Sequence, residues 1–249
     1  VSDQQVRITV DGASVAARKD ATVIQACDEA GIYIPRLCYQ ADLEPGGQCR
    51  LCTCKINGRY GPACTTHVAD GMVVENDTPE LNGDRRTIVE LLFIEGNHFC
   101  PACEKSGDCD LQAMAYRLDL DAPTLPYQWT PKQVDATHPE VYLDRNRCIL
   151  CGLCVRASRD VDGKTVFGME GRGIDTKLAV DSTAGLGATG LQATDRAVAV
   201  CPVACLVRKH TAFEVPFGQR RFDLAPIGSE IEARREESPR PSRSSTDET

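Results

Sequence analysis

The chain has 249 residues, 42 % hydrophobic and 26 % charged, a balance that excludes a wholly disordered or collagen-like protein and leaves room for one to three domains. Its net charge is −8 and only 5 % of its residues are aromatic, so the basic, aromatic-studded face needed for phosphate neutralisation and base stacking is missing and no nucleic-acid partner is expected. The longest near-apolar run, Ala197 to Val207, contains Pro202 and falls well short of the roughly 18 residues of a bilayer span, so no direct membrane insertion is expected.

In chain order, Val6 opens a strand, Asp11-Gly12 turns it into a second, and a helix from about Thr22 stops at Gly31. Cys52 to Ile56 and Arg59 to Ala63 flank Asn57-Gly58, a pair that tolerates the positive φ of a two-residue hairpin turn, and Met72 to Glu75 adds a final strand. After Pro79 the character changes. Leu81, Ile88, Leu91 and Leu92 mark an amphipathic helix that stops at Gly96, and another helix runs through Leu118 before a linker with Pro123, Pro126 and Pro131. The expected division is 1–79, 80–133 and 134–228, with 229–249 as a disordered tail, since beyond Ile231 the only apolar residue is Ala233.

Fourteen cysteines fall in bunches and need an explanation. Val1 to Val10 is a polar strand without an apolar signal core, so a cytoplasmic, reducing setting is expected and metal ligation is favoured over disulfides. The first group is Cys38, Cys49, Cys52 and Cys64, spaced C-x10-C-x2-C-x11-C, which suits a 2Fe-2S cluster; Gly46 and Gly47 would let the backbone aim N–H groups at sulfur. A four-cysteine zinc site usually pairs two close C-x2-4-C steps, and Cys38 and Cys64 have no such neighbour.

The second group offers the thiols of Cys100, Cys103 and Cys109, with His98 as adjacent fourth candidate. A neutral imidazole in place of a thiolate reduces the negative charge of a cluster and raises its potential, as in Rieske centres. The third group is Cys148-x2-Cys151-x2-Cys154 with a remote Cys201-Pro202, a pattern that resembles bacterial 4Fe-4S ferredoxins. Ser158 stands where a two-cluster ferredoxin has another cysteine, so one cluster is expected here. Cys27, Cys54 and Cys205 remain and are assigned to packing; His67, His138 and His210 are read as structural. Gly185, Gly187 and Gly190 spell G-x-G-x-x-G after a possible strand, Lys177 to Val180. The chain then runs into Cys201-Pro202 where a dinucleotide fold needs another strand and an acidic residue, so the glycines are read as a loop.

The segments EGNHFCPACEKSGDCDLQ (Glu95 to Gln112) and RCILCGLCVRASRD (Arg147 to Asp160) resemble the diaphorase iron-sulfur subunit of NAD-reducing nickel-iron hydrogenases, which is itself similar to the amino-terminal part of the complex I large iron-sulfur subunit. In the complex I form the histidine stands four residues before the first cysteine; here that position is Gly96 and His98 is two before. The resemblance implies an α+β chain: a β-grasp 2Fe-2S ferredoxin domain, a helical His-Cys 4Fe-4S domain and a 4Fe-4S ferredoxin-like domain. One 2Fe-2S and two 4Fe-4S clusters are expected, with no flavin or NAD on this chain.

The expected role is a non-catalytic electron relay between a flavin- and NAD-binding diaphorase subunit and the small and large subunits of a hydrogenase. The rivals are the equivalent relay of a NAD-dependent formate dehydrogenase or of complex I, a zinc-stabilised interaction module without redox chemistry, and a free-standing nucleotide-dependent oxidoreductase built on Gly185 to Gly190.

Overall fold

A computed structural model describes residues 5–237. Strands β1 (Gln5–Val10) and β2 (Ala13–Arg18) form a hairpin whose turn residues, Asp11 and Gly12, both have positive φ. Helix α1 (Val23–Glu29) begins at a capping box, in which the Thr22 hydroxyl accepts from the Gln25 N–H and the Gln25 side chain accepts from the Thr22 N–H. A long loop leads to the second hairpin, β3 (Thr53–Ile56) and β4 (Arg59–Pro62), which turns at Asn57-Gly58 as the dipeptide predicts. Strand β5 (Val73–Glu75) runs parallel to β1 and antiparallel to β3, closing a sheet of order β2-β1-β5-β3-β4. This mixed sheet, with α1 packed on it, is the arrangement expected of a β-grasp ferredoxin.

Helix α2 (Pro79–Glu95) starts on Thr78, whose hydroxyl accepts from the Leu81 N–H, and has proline at its first position, where no donor is lost. Its buried face is Leu81, Arg85, Val89, Glu90 and Ile94, while Leu91, expected in the apolar stripe, is 40 % exposed. The helix phases itself on Arg85, which the apolar pattern alone leaves out. The Glu90 carboxylate accepts from the Thr124 and Leu125 N–H groups, which hold it below the usual carboxylate range and pin the proline-containing linker to α2.

Helix α3 (Asp110–Arg117) follows. Strands β6 (Val134–Asp135), β7 (Val141–Asp144) and β10 (Leu206–Arg208) form a small antiparallel sheet in which β7 is central, with Leu206 opposite Leu143. Between β7 and β10 lie helix α4 (Leu153–Asp160), the hairpin β8 (Phe167–Glu170) and β9 (Lys177–Val180), and the short helix α5 (Arg196–Ala199). Helix α6 (Arg221–Leu224) precedes α7 (Ser229–Glu237).

The expectation of a disordered tail from 229 is corrected by α7. Low apolar content does not prevent docking here, because Ile227 and Ile231 are both buried, and Arg117 donates to the Ile227 carbonyl at 2.8 Å and pairs with Glu232. The backbone of Arg235 lies so close to Gly31 that a Cβ there would meet it at 2.5 Å. Residues 238–249 lie outside the described residues.

The described residues form two apolar cores. One lies beneath the mixed sheet, from Ile8 and Val10 to Met72 and Val74. The other takes side chains from α2, α3, α4, the β7/β10 pair and α7, and from Leu37, Leu43 and Leu51 of the loop after α1. That loop is therefore shared ground between the ferredoxin sheet and everything after it.

Candidate iron-sulfur centres

The first set of thiols lies where the loop after α1 meets the β3/β4 hairpin. The Cys49 N–H donates to Cys38 Sγ at 3.4 Å, and the Cys49 thiol does the same, which brings Cys38 down to about 6. Cys52 is hydrogen-bonded to Cys64 in the same way, so the four thiols lie together as two pairs. Gly47, at φ +62°, turns the backbone so that its own N–H faces Cys64 and that of Gln48 faces Cys38. The predicted purpose of the glycine pair is met at Gly47. Gly46 serves another end: a Cβ there would lie 1.9 Å from the Arg156 guanidinium.

In the second set, Cys100 and Cys103 sit on a short 3-10 turn, and Cys109 stands at the N-cap position of α3. His98, Cys100, Cys103 and Cys109 line one cavity with Phe93 and Arg147. Burial, reinforced by the Arg147 guanidinium, drives His98 down to about 4, so its imidazole is neutral at pH 7. Its Nε2 is buried and has no hydrogen-bond partner among the described residues, and the residue lines the same cavity as three thiols. A donor set of one imidazole and three thiols has the chemistry of an iron-sulfur site, and the orphaned nitrogen fits such a ligand.

Gly96 explains the shifted position of the histidine. A Cβ on residue 96 would meet His98 Nε2 at 2.4 Å, so the imidazole occupies the space that a side chain at 96 would fill.

In the third set the triplet follows β7. Cys151 and Cys154 are held well above the usual thiol range by burial, and Cys201 lies close enough to both to interact electrostatically. Buried thiols of this kind ionise readily only when a positive metal centre compensates their charge. Cys201 is brought down to about 6 by a hydrogen bond from Cys205, and the Val203, Cys205 and Leu206 N–H groups also face its sulfur. Cys205 touches Cys148 as well, so the residue assigned to packing stands inside the third set. Its spacing from Cys201 carried no cluster signature. Cys27 and Cys54 are fully buried in the first core, as expected of packing residues.

The glycine loop is engaged elsewhere. The Leu186 N–H donates to Asp135 at 2.8 Å and the Gly187 N–H to the Thr137 hydroxyl at 2.9 Å, so the amides that would cradle a phosphate are already satisfied. His138 accepts the Glu140 and Val141 N–H groups at Nδ1 and donates from Nε2 to the Leu191 carbonyl; His67 contacts the Asp20 carbonyl. Among the described residues no helix is long and apolar enough to cross a membrane.

Comparison with known proteins agrees with this layout. Residues 3–79 match the 2Fe-2S iron-sulfur cluster binding domain family, residues 85–123 the NADH-ubiquinone oxidoreductase-G iron-sulfur binding region, and residues 141–207 the 4Fe-4S single cluster domain. The chain is 37 % identical over 223 residues to the NAD-reducing hydrogenase HoxS subunit gamma of Cupriavidus necator, covering 89 % of this chain and 95 % of that one. It is 32 % identical over 236 residues to the mitochondrial NADH-ubiquinone oxidoreductase 78 kDa subunit of Candida albicans, covering 91 % of this chain but only 32 % of that one. A chain in the crystal structure of NAD+-reducing [NiFe]-hydrogenase in the H2-reduced state superimposes with a TM-score of 0.88 at 44 % identity, covering 92 % of this chain and 98 % of that chain. The chain carries 2Fe-2S and 4Fe-4S binding domains and belongs to the family of the iron-sulfur gamma subunit of NAD-reducing hydrogenase.

Proposed function

We propose that the chain relays single electrons between a flavin- and NAD-binding diaphorase subunit and the nickel-iron hydrogenase module of one complex. The observation that carries this reading is that the three donor sets adjoin one another. Cys38 of the first set interacts electrostatically with Cys151 of the third. The second set also adjoins the third: Arg147, next to Cys148, lies 3.8 Å from Cys103 Sγ, and the Asp110 N–H donates to the Pro202 carbonyl at 2.9 Å. The third set thus adjoins both of the others.

Cys38, Cys49, Cys52 and Cys64 would hold a 2Fe-2S cluster, His98, Cys100, Cys103 and Cys109 one 4Fe-4S cluster, and Cys148, Cys151, Cys154 and Cys201 another. A bound cluster supplies one-electron chemistry with little change of geometry. The chain supplies the rest: burial excludes water, and backbone N–H groups aimed at sulfur stabilise the ionised thiols.

The test is iron, zinc and acid-labile sulfide on anaerobically purified protein, with electron paramagnetic resonance of the reduced form. About ten irons and ten sulfides per chain, with separate 2Fe-2S and 4Fe-4S signals, are expected. Stoichiometric zinc without sulfide would replace the relay by a structural scaffold.

Cys201 and Cys205 separate in a second experiment. Cys201→Ser is expected to lose the four irons of the third set or leave a three-iron remnant, whereas Cys205→Ser should keep full iron content. The reverse outcome would make Cys205 the fourth ligand.

A further inference from the structure

Arg156 sits two residues beyond Cys154 on α4, yet its side chain leaves that helix for the loop that bears the first set. It is only 8 % exposed. Its Nη2 donates to the Cys38 carbonyl at 2.6 Å and its Nη1 to Gln48 Oε1 at 2.9 Å, while its Nε is buried without a partner among the described residues. A glycine from each side makes room for this bridge. A Cβ on Gly46 would lie 1.9 Å from Nη1, and a Cβ on Gly152, which also has φ +68°, would lie 2.4 Å from Gln48 Oε1.

Among the described residues no carboxylate forms an ion pair with Arg156. Asp160, one helical turn further on, pairs with Arg159 at 2.6 Å and feels Arg156 only as a weaker, longer-range charge. An ionised side chain taken out of water is costly unless opposite charge compensates it, and the neutral carbonyl and amide that hold Arg156 do not. It holds the carbonyl of Cys38 in the first set and is rooted on α4 two residues after Cys154 of the third. Iron-sulfur clusters held by four thiolates are anionic and gain a further negative charge on reduction.

Resting on the relay reading above, we propose that Arg156 is the shared counter-charge of the first and third sets. It is a positioning residue that holds the two sets in fixed register and favours the reduced form of both. The structure gives it the properties this needs: a permanent charge, low local dielectric, one hydrogen bond to the backbone of a first-set cysteine and a covalent seat beside a third-set cysteine.

The experiment is a redox titration of the full chain, loaded with clusters, followed by electron paramagnetic resonance. Arg156→Gln removes the charge. Gln48→Glu keeps Arg156 and places a carboxylate where Gln48 Oε1 already accepts from it, with almost no change of shape. Each is expected to make the first and third clusters harder to reduce by about tenfold in the reduction equilibrium, about 59 mV for a one-electron couple. The cluster at His98 should not move. Arg156→Lys should hold both potentials near the parent values.

Intact signals with both potentials unchanged in Gln48→Glu would overturn the proposal, as would a shift of one cluster alone. Should Arg156→Gln fail to fold, Gln48→Glu and Arg156→Lys still decide. Parent protein without iron and sulfide would instead be a failure of the relay reading, and the metal analysis detects that before any variant is made.

Discussion

Arg85→Ala is expected to destabilise the protein by on the order of 3–5 kcal/mol, read as a fall in the denaturant midpoint of the cluster-loaded chain. Arg85 is 2 % exposed and lies on α2, but its guanidinium reaches under the ferredoxin sheet. It donates to the carbonyls of Leu51 at 3.1 Å, Asn76 at 2.8 Å and Thr53 at 3.0 Å, and to the Asn76 side chain at 2.8 Å. Truncation orphans several buried acceptors at once and leaves a cavity the size of the lost side chain, each a separate source of instability. Leu51 and Thr53 flank Cys52, so loss of the 2Fe-2S signal should accompany loss of stability. Arg85→Lys should recover only part of it, because an ammonium cannot reproduce a fork that reaches five oxygen acceptors, Asn82 Oδ1 among them. A loss below about 1 kcal/mol in the alanine variant would mean that water replaces the guanidinium at little cost.

His98→Cys is expected to keep the second cluster and lower its midpoint potential by on the order of 100 mV, since a thiolate adds a negative charge where the imidazole had none. His98→Ala should lose the cluster or its fourth iron. Gly96→Ala tests the same nitrogen without touching it, because the added methyl would lie 2.4 Å from Nε2 and must displace the ring. Its effect on iron content should approach that of His98→Ala. An unchanged potential in His98→Cys would show that the imidazole is not a ligand.

The first sheet was legible because its information is local. Asp11-Gly12 and Asn57-Gly58 dictate their turns, and Thr22 with Gln25 dictates a helix start. The β7/β10 pair was not legible: its strands have four and three residues, and Leu143 meets Leu206 only after the chain has passed through α4, two strands and α5. Helix α7 was read as disordered because its composition is polar, while what fixes it is docking of Ile227 and Ile231 and the pairing of Glu232 with Arg117. The thiol sets stood out from spacing. The arginines beside them did not, because Arg85 and Arg156 lie in helices where an arginine normally faces water, and the room that Gly46 and Gly152 make for the Arg156 bridge shows only in the fold.

The position of Cys201 has a consequence for how the protein is made. A chain synthesised from its amino terminus presents the whole first set once Cys64 has emerged and the whole second set once Cys109 has, whereas the triplet at Cys148, Cys151 and Cys154 must wait for Cys201 and for β10 to close on β7. The set that adjoins both of the others is therefore the last whose ligands are all present. A ribosome stalled between residues 154 and 201 would hold a chain in which the first and second donor sets are complete in sequence while the third still lacks Cys201.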